Sequence, residues 1–444
     1  MSSTPSKIVI FLSVPGLRHQ DLAHMPNLNK LVDGGTSTRI NHAFPAVTWP
    51  SQANLLTGKP PAEHGVVANG FYWRENHKVE MWTAWNEVIQ QPQIWDVLKT
   101  IDSNLTSAAW FPMLSKGCDA DYVCMPAPIH QPDGSEDPWC YTKPQEYYGT
   151  LLESLGHFPL QHFWGPMANI KSTSWIANSA AAAAAKFKPN FFYIYLPHLD
   201  YQAQKFGPNS EQATQSVKEL DQLIGQFSAD MQNAYATDIC WMIASEYVIT
   251  EVDHVLYPNR ILRDANLLGL VHEDGGGELI DFENTPAWAL VDHQFSHIFV
   301  NQSHHDSVEK IADLFRDREG VDQILVGDAR KLHGMDHERS GEIVVISKPN
   351  SWQAYYWWQD DKLAPSFART VDIHKKPGYD PVELHFDMAT KSIPLDAGLI
   401  KGSHGAPSKS AEQMGVFLSN EASLVNTESI NDFALFDVVL NQFK

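Results

Sequence analysis

Cysteine is scarce in this sequence: four in 444 residues, at 118, 124, 140 and 240. The first three lie close together in a stretch rich in Pro, Asp and Gly. A zinc knuckle needs tighter pairs, and a disulfide framework belongs to shorter secreted chains, so all four read as ordinary thiols of a reducing cytoplasm. Positive charge is also in short supply. Lys and Arg number 32 against 53 Asp and Glu, a formal charge of −21, which excludes a nucleic acid polymer or an anionic membrane as the main partner. Long apolar runs are missing too, since none approaches the roughly 20 residues that span a bilayer. The short run Ile8 to Val14 ends at Pro15, lacks a small-residue cleavage site, and reads as a buried strand instead of a secretory leader. What is there is a chain with 43% hydrophobic and 19% charged residues, enough to bury a large core. Its length is one at which α/β enzymes carry insertions.

After the first strand come Gly16 and a helical stretch through Pro26–Leu31, and strand, turn, helix in that order opens a parallel α/β sheet. Residues 85–100 predict a helix and 104–110 a strand, whereas 111–164 is loop-rich and reads as an insertion. Six consecutive alanines, 180–185, predict a packing helix. Phe191–Leu196 and Asp238–Ala244 predict buried strands, with a helix over 212–231 between them. The first strand runs into Pro197-His198-Leu199-Asp200 and the second into Ser245-Glu246-Tyr247, polar clusters where open α/β sheets place their sites. Residues 255–335 predict a small α+β insertion: strand His297–Val300, helix Asp306–Arg316, strand Asp322–Val326. A strand over 341–347, an aromatic segment from Trp352 to Trp358, and a polar stretch ending in Ser403-His404-Gly405 follow. The expected division is a core of 1–254 and 336–444, with 255–335 as a cap.

The strongest local pattern is Phe44-Pro45-Ala46-Val47-Thr48-Trp49-Pro50-Ser51, then Thr57-Gly58, His64-Gly65 and Asn69-Gly70. A hydroxyl just before a proline and a helical pattern fits a helix N-terminus, where backbone N–H groups favour an anion; a simple N-cap fits equally. The order of the whole segment resembles the nucleotide pyrophosphatase/phosphodiesterase branch of the alkaline phosphatase superfamily. The resemblance covers roughly residues 7–250 and 336–405 and includes Phe11–Arg18, Pro26-Asn27-Leu28, Asp200 with Gly207-Pro208, Glu246, and Ser403-His404-Gly405. It implies an alkaline-phosphatase-like α/β core, a mostly parallel sheet between helices, with Thr48 as nucleophile and Asn69 as a phosphoryl-oxygen ligand.

Family members hold two divalent ions that clamp the attacking and leaving oxygens, and here the resemblance breaks. Pro15 stands where the family has a ligating Asp, Glu246-Tyr247 replaces an Asp-His pair, and Gln204 replaces the His four residues after Asp200. The resemblance leaves Asp200, Glu246 and His404 as an expected metal set, with His198 as a fourth donor if the preceding strand continues and puts 198 and 200 on one face. The expected cofactor is one or two divalent ions, zinc first, with manganese, magnesium or iron as alternatives. Asp292-His293, His297, His374, Asp380 and Asp396 are spare donors. Asp336 to Gly341 reads as structural and His304-His305 as a solvated turn.

The expected function is a metal-dependent hydrolase of a phosphodiester, pyrophosphate or phosphonate bond in a small phosphorylated molecule. Aromatic residues beside Thr48 would face a planar leaving group or simply pack. The alternatives are a binding or scaffold relative that lost the two-metal centre, and a single-metal transferase or lyase.

Overall fold

The computed structural model describes residues 7–130 and 136–444. The opening Met1–Ser6, in front of the strand read above as no leader, and residues 131–135 of the loop-rich stretch lie outside the described residues.

Strand β1 (Ile8–Ser13) is buried along its whole length, as an unbroken apolar run requires when both faces of a sheet are covered. In contrast, β2 (Thr36–Asn41) alternates buried and exposed residues, so one of its faces meets water. Helix α1 (Thr48–Thr57) and the hairpin β3 (Gly70–Trp73) and β4 (Lys78–Met81) come next. Then follow β5 (Ser107–Trp110), β6 (Tyr122–Pro126) and β7 (Cys140–Lys143). Helix α2 (Ile170–Phe187) carries the alanine run; Ala180, Ala183 and Ala184 are buried, and small side chains let it lie close to its neighbours. Its first turn is capped by Asn169, whose side chain accepts from Lys171 N. Strand β8 (Phe191–Tyr195), α3 (His198–Phe206), α4 (Glu211–Tyr235) and β9 (Ile239–Ala244) complete the first half. The second half holds β10 (Ala287–Asp292), β11 (Phe295–Val300), β12 (Val321–Val326), β13 (Ile343–Ser347), β14 (Gly415–Ser419) and β15 (Ser429–Asn431).

Nine strands form one sheet in the order β15-β2-β14-β9-β1-β8-β5-β6-β7. Its centre, β9 to β6, is parallel, and β14 and β7 run antiparallel to their neighbours. This is the expected mostly parallel α/β architecture. Within the loop-rich stretch 111–164, β6 and β7 extend the large sheet. The second, four-stranded sheet runs β10-β11-β13-β12 and so takes in Ile343–Ser347, beyond the expected limit at 335. The aromatic segment explains this: Trp352, Tyr355, Tyr356, Trp357 and Trp358 are all buried against that sheet. So much apolar ring surface needs a core of its own.

In the large sheet β1 lies between β8 and β9, with Ser13 in register with both Tyr195 and Ala244. The polar segments after β8 and β9 therefore leave the sheet side by side, at the carboxyl edge where parallel sheets bind ligands. No helix among the described residues is long and apolar enough to cross a membrane.

Candidate active site

All ten residues of α1 are buried, and Thr48 is its first helical residue; Val47, extended and with no capping side chain, precedes it. The helix starts without a side-chain cap, so Thr48 is not the N-cap, and its hydroxyl is free for other partners. Trp49 N donates to Asn69 Oδ1 at 3.0 Å, while Pro50 has no N–H to offer. Asn69 is gripped in turn by Asp292 at the end of β10: its backbone N donates to Oδ2 at 2.8 Å and its Nδ2 to Oδ1 at 3.1 Å. The structure thus brings together the two residues expected to handle a phosphoryl group and adds Asp292, known from sequence only as a spare donor.

The Thr48 hydroxyl lies 3.2 Å from the Tyr247 phenol, which donates to Asp200 Oδ1 at 3.3 Å. Asp200 Oδ2 accepts from Gln204 Nε2 at 2.9 Å, and Gln204 Oε1 accepts from Tyr379 at 2.5 Å. Tyr379 stacks on His293 with ring centres 3.6 Å apart, His293 meets His404 at 3.9 Å, and His404 stacks on Tyr247 at 3.6 Å. The circuit closes on itself. Two of its members, Gln204 and Tyr247, occupy positions where the resembling family has metal-binding histidines. His404 Nδ1 faces the Ala46 carbonyl at 2.8 Å, so it carries the proton, and burial holds the ring's pKa well below the ordinary value. Its Nε2 lone pair is buried without a hydrogen-bond partner, 3.9 Å from Asp200 Oδ1. At 3.9 Å, with a neutral ring, this is not an ion pair.

Glu246 is turned elsewhere. It accepts from Ser13 Oγ at 2.6 Å and from Gln52 Nε2 at 2.9 Å, and Gln52 Oε1 holds Met113 N at 2.7 Å. Gln52 sits four residues after Thr48, on the same helix face, a spacing the sequence displayed. His198 does not share a face with Asp200. The chain turns into α3 at His198, and two residues along a helix point roughly opposite ways; His198 Nε2 instead meets Glu219 at 2.9 Å. Of the spare donors, His297 Nε2 is held by the Val67 carbonyl, Asp380 by Lys376, and Asp396 caps Gly398 N. Arg339 bonds the Gly65 and Val88 carbonyls, the structural role expected of that stretch. His304 and His305 lie exposed in a turn.

The donor set does not fit a metal centre of the family kind. Asp200 and His404 are placed to share an ion, but Glu246 turns its Oε1 to Ser13 and Gln52 and leaves Oε2 buried without a partner, His198 belongs to Glu219, and the Asp292 carboxylate is taken up by Asn69 and His293. Among the described residues no group of three His, Cys, Asp or Glu is placed to hold a metal, one short of the usual protein ligands of a catalytic zinc. Neutral donors now satisfy the Asp200 carboxylate instead.

Burial also shifts the acids. Asp200 is raised to about 7, against the hydrogen bonds from Gln204 and Tyr247, and Glu246 to about 8, against those from Ser13 and Gln52. A carboxyl raised in the folded state keeps a proton that the unfolded chain has released, so its contribution to stability falls as pH rises toward the folded value. Buried His42 and His64, lowered to about 3, and His297, lowered to about 4, act in the opposite sense, and since the unfolded rings are half protonated at pH 6.5 their effect fades only above about pH 7.5. Comparison with Glu246→Gln, which still accepts from Ser13 and Gln52, isolates the carboxyl. From pH 6.5 to 8 the parent is expected to lose about 1.5 kcal/mol relative to this variant, at about 1.4 kcal/mol per unit, in urea melts at pH 6.5, 7.2 and 8.0. A difference between the two proteins that stays constant with pH would exclude Glu246 as the titrating group.

The nine-stranded sheet, with its polar cluster at the carboxyl edge beside a helix N-terminus, is the arrangement of the alkaline phosphatase superfamily. The type I phosphodiesterase/nucleotide pyrophosphatase family model matches residues 9–380, and the chain belongs to that family. Among curated proteins it is similar to bis(5'-adenosyl)-triphosphatase ENPP4 of Bos taurus. That match is 24% identical over 237 residues, covering 51% of this chain and 43% of the relative. A pyrophosphatase/phosphodiesterase of Schizosaccharomyces pombe is 23% identical over 227 residues, covering 49% and 39%. These matches span less than half the length of either relative. In fold, the chain resembles murine ectonucleotide pyrophosphatase/phosphodiesterase 5, solved in an inactive form with AMP, at a TM-score of 0.62 and 14% identity over 99% of this chain and 95% of that one. It equally resembles phosphonoacetate hydrolase of Sinorhizobium meliloti, at 0.63 and 15% over 99% and 96%.

Proposed function

We propose that this chain is a hydrolase of a phosphodiester, pyrophosphate or phosphonate bond in a small molecule, with Thr48 as the attacking group. The observation that carries the reading is the Thr48 hydroxyl at the start of α1, beside an Asn69 held in place by Asp292 and Trp49 N. A phosphoryl group seated there meets the Thr48 backbone N–H, unbonded at the first helical position, and the second Nδ2 hydrogen of Asn69. Thr48 Oγ1 attacks phosphorus, and the bond from phosphorus to the leaving group breaks. The hydroxyl proton passes to Tyr247, whose own proton moves to Asp200 Oδ1 along the 3.2 and 3.3 Å contacts. Water then attacks phosphorus, the bond from phosphorus to Thr48 Oγ1 breaks, Thr48 regains the proton held at Asp200 through Tyr247, and the proton lost by the water neutralises the departed group. No step runs through a metal ion. The relative solved with AMP supports a nucleotide-sized substrate, and four free, buried thiols support a reducing, cytoplasmic setting.

A second reading, a binding protein without turnover, is favoured by the closed circuit that occupies the metal-ligand positions. Turnover of nitrophenyl phosphate mono- and diesters, with chelator and with added Zn²⁺, Mn²⁺, Mg²⁺ or Fe²⁺, separates the two. The hydrolase reading expects turnover that survives chelation and drops about a hundredfold in kcat in Tyr247→Phe, with KM little changed. Turnover that Tyr247→Phe leaves intact would remove the proton route, and turnover that chelator abolishes would restore a metal to the mechanism.

A further inference from the structure

One cleft stands apart from the chemistry at Thr48. It has a volume of about 500 Å³ and lies between the tip of the β3–β4 hairpin, Leu279, Ile280, Phe282, Trp357, Phe367 and the loop 374–377. That volume is in the range of small-molecule sites. In a chain with 53 acidic against 32 basic residues, no Asp or Glu among the described residues lines it, whereas Lys78, Lys375, Lys376, His77 and His374 do. Lys376 is neutralised by Asp380 and Glu383, at 2.8 and 2.6 Å, and Lys375 pairs with Asp372 at 2.9 Å from an exposed position. The exposed Lys78 ammonium has no carboxylate partner among the described residues. The facing wall is apolar, with Phe282 and Phe367 half-buried and Trp357 pinned behind them by a hydrogen bond from its Nε1 to the Glu278 carbonyl at 3.0 Å.

Cationic groups on one side and ring faces on the other suit a ligand with a charged end and a planar end. We infer that this cleft binds a small molecule carrying a phosphate and a planar heterocycle, of mononucleotide size, as a site separate from the Thr48 centre. The separation follows from the hairpin. Trp82 N donates to Asn69 O at the hairpin's base, Asn76 and His77 form its tip, and four residues of strand span about 13 Å. A phosphate beside Lys78 therefore cannot touch Thr48.

The test is calorimetric titration of the full chain with AMP, with adenosine and with inorganic phosphate. Thr48→Glu places a carboxylate where the phosphoryl group would sit and closes that centre to anions. AMP binding should persist in this variant and weaken at least tenfold when Lys78→Ala and Lys375→Ala are added, with adenosine and phosphate each at least tenfold weaker than AMP. In the otherwise unaltered chain the same pair of exposed lysine changes should remove one AMP from the stoichiometry, a readout that does not depend on Thr48→Glu folding. Binding that Thr48→Glu abolishes, or that the lysine changes leave unaltered, would overturn the inference, as would adenosine binding as tightly as AMP.

Discussion

Thr48→Ala is expected to lower kcat on a nitrophenyl phosphodiester by roughly a thousandfold or more, while the variant melts within about 2 °C of the parent. The two halves of this expectation have separate causes. A nucleophile cannot be replaced by better binding, because the covalent route vanishes with the oxygen. The fold, in contrast, asks little of the hydroxyl. The Thr48 hydroxyl meets only the phenols of Tyr247 and Tyr195 among the described residues, the helix begins without using it as a cap, and alanine is the better helix former. Thr48→Ser keeps an attacking oxygen and should retain most of the activity. A Thr48→Ala protein with parental turnover would end the nucleophile assignment. A parent that binds AMP but cleaves none of these esters would favour the binding reading.

Sequence and structure agree where the chemistry is local. The unbroken apolar runs at 8–13, 191–195 and 239–244 could only be strands covered on both faces, and they form the centre of the sheet. Thr48 and Asn69 lie 21 residues apart, close enough for one sequence block to specify both. Gln204 and Tyr247 were legible as lost ligands, but what replaced the ligands was not. The stack of Tyr247, His404, His293 and Tyr379 is drawn from four separate segments, and nothing in a linear pattern announces a ring-on-ring contact. His198 went astray for a different reason: the position of a side chain two residues on depends on whether strand or helix continues, and the proline before it marked the change. The strand β13 resembles a core strand in composition yet joins the four-stranded sheet, and composition does not say which of two sheets will receive it.

Asp292 is the residue that sequence reasoning undervalued most, and its removal carries the other large expected effect. Its buried carboxylate accepts three hydrogen bonds: Asn69 N at 2.8 Å, Asn69 Nδ2 at 3.1 Å and His293 Nδ1 at 2.5 Å. Asp292→Ala leaves all three donors buried and unpartnered, at about 1–3 kcal/mol for each unsatisfied group, so a loss of about 3–5 kcal/mol in urea melts is expected. The functional loss should exceed what stability explains. Without Asp292 the Asn69 amide can turn, its contact with Trp49 N is no longer enforced, and the start of α1 loses the neighbour that orders it. The expected fall in kcat/KM, measured well below the melting temperature, is about a hundredfold. A double-mutant cycle with Asn69→Ala separates support of Asn69 from general damage. If Asp292 acts through Asn69, the two losses are strongly non-additive, with a coupling above about 1 kcal/mol. Simple additivity in both stability and kcat/KM would show that Asp292 serves the fold alone, and Asn69 would then owe its position to the helix it meets at Trp49.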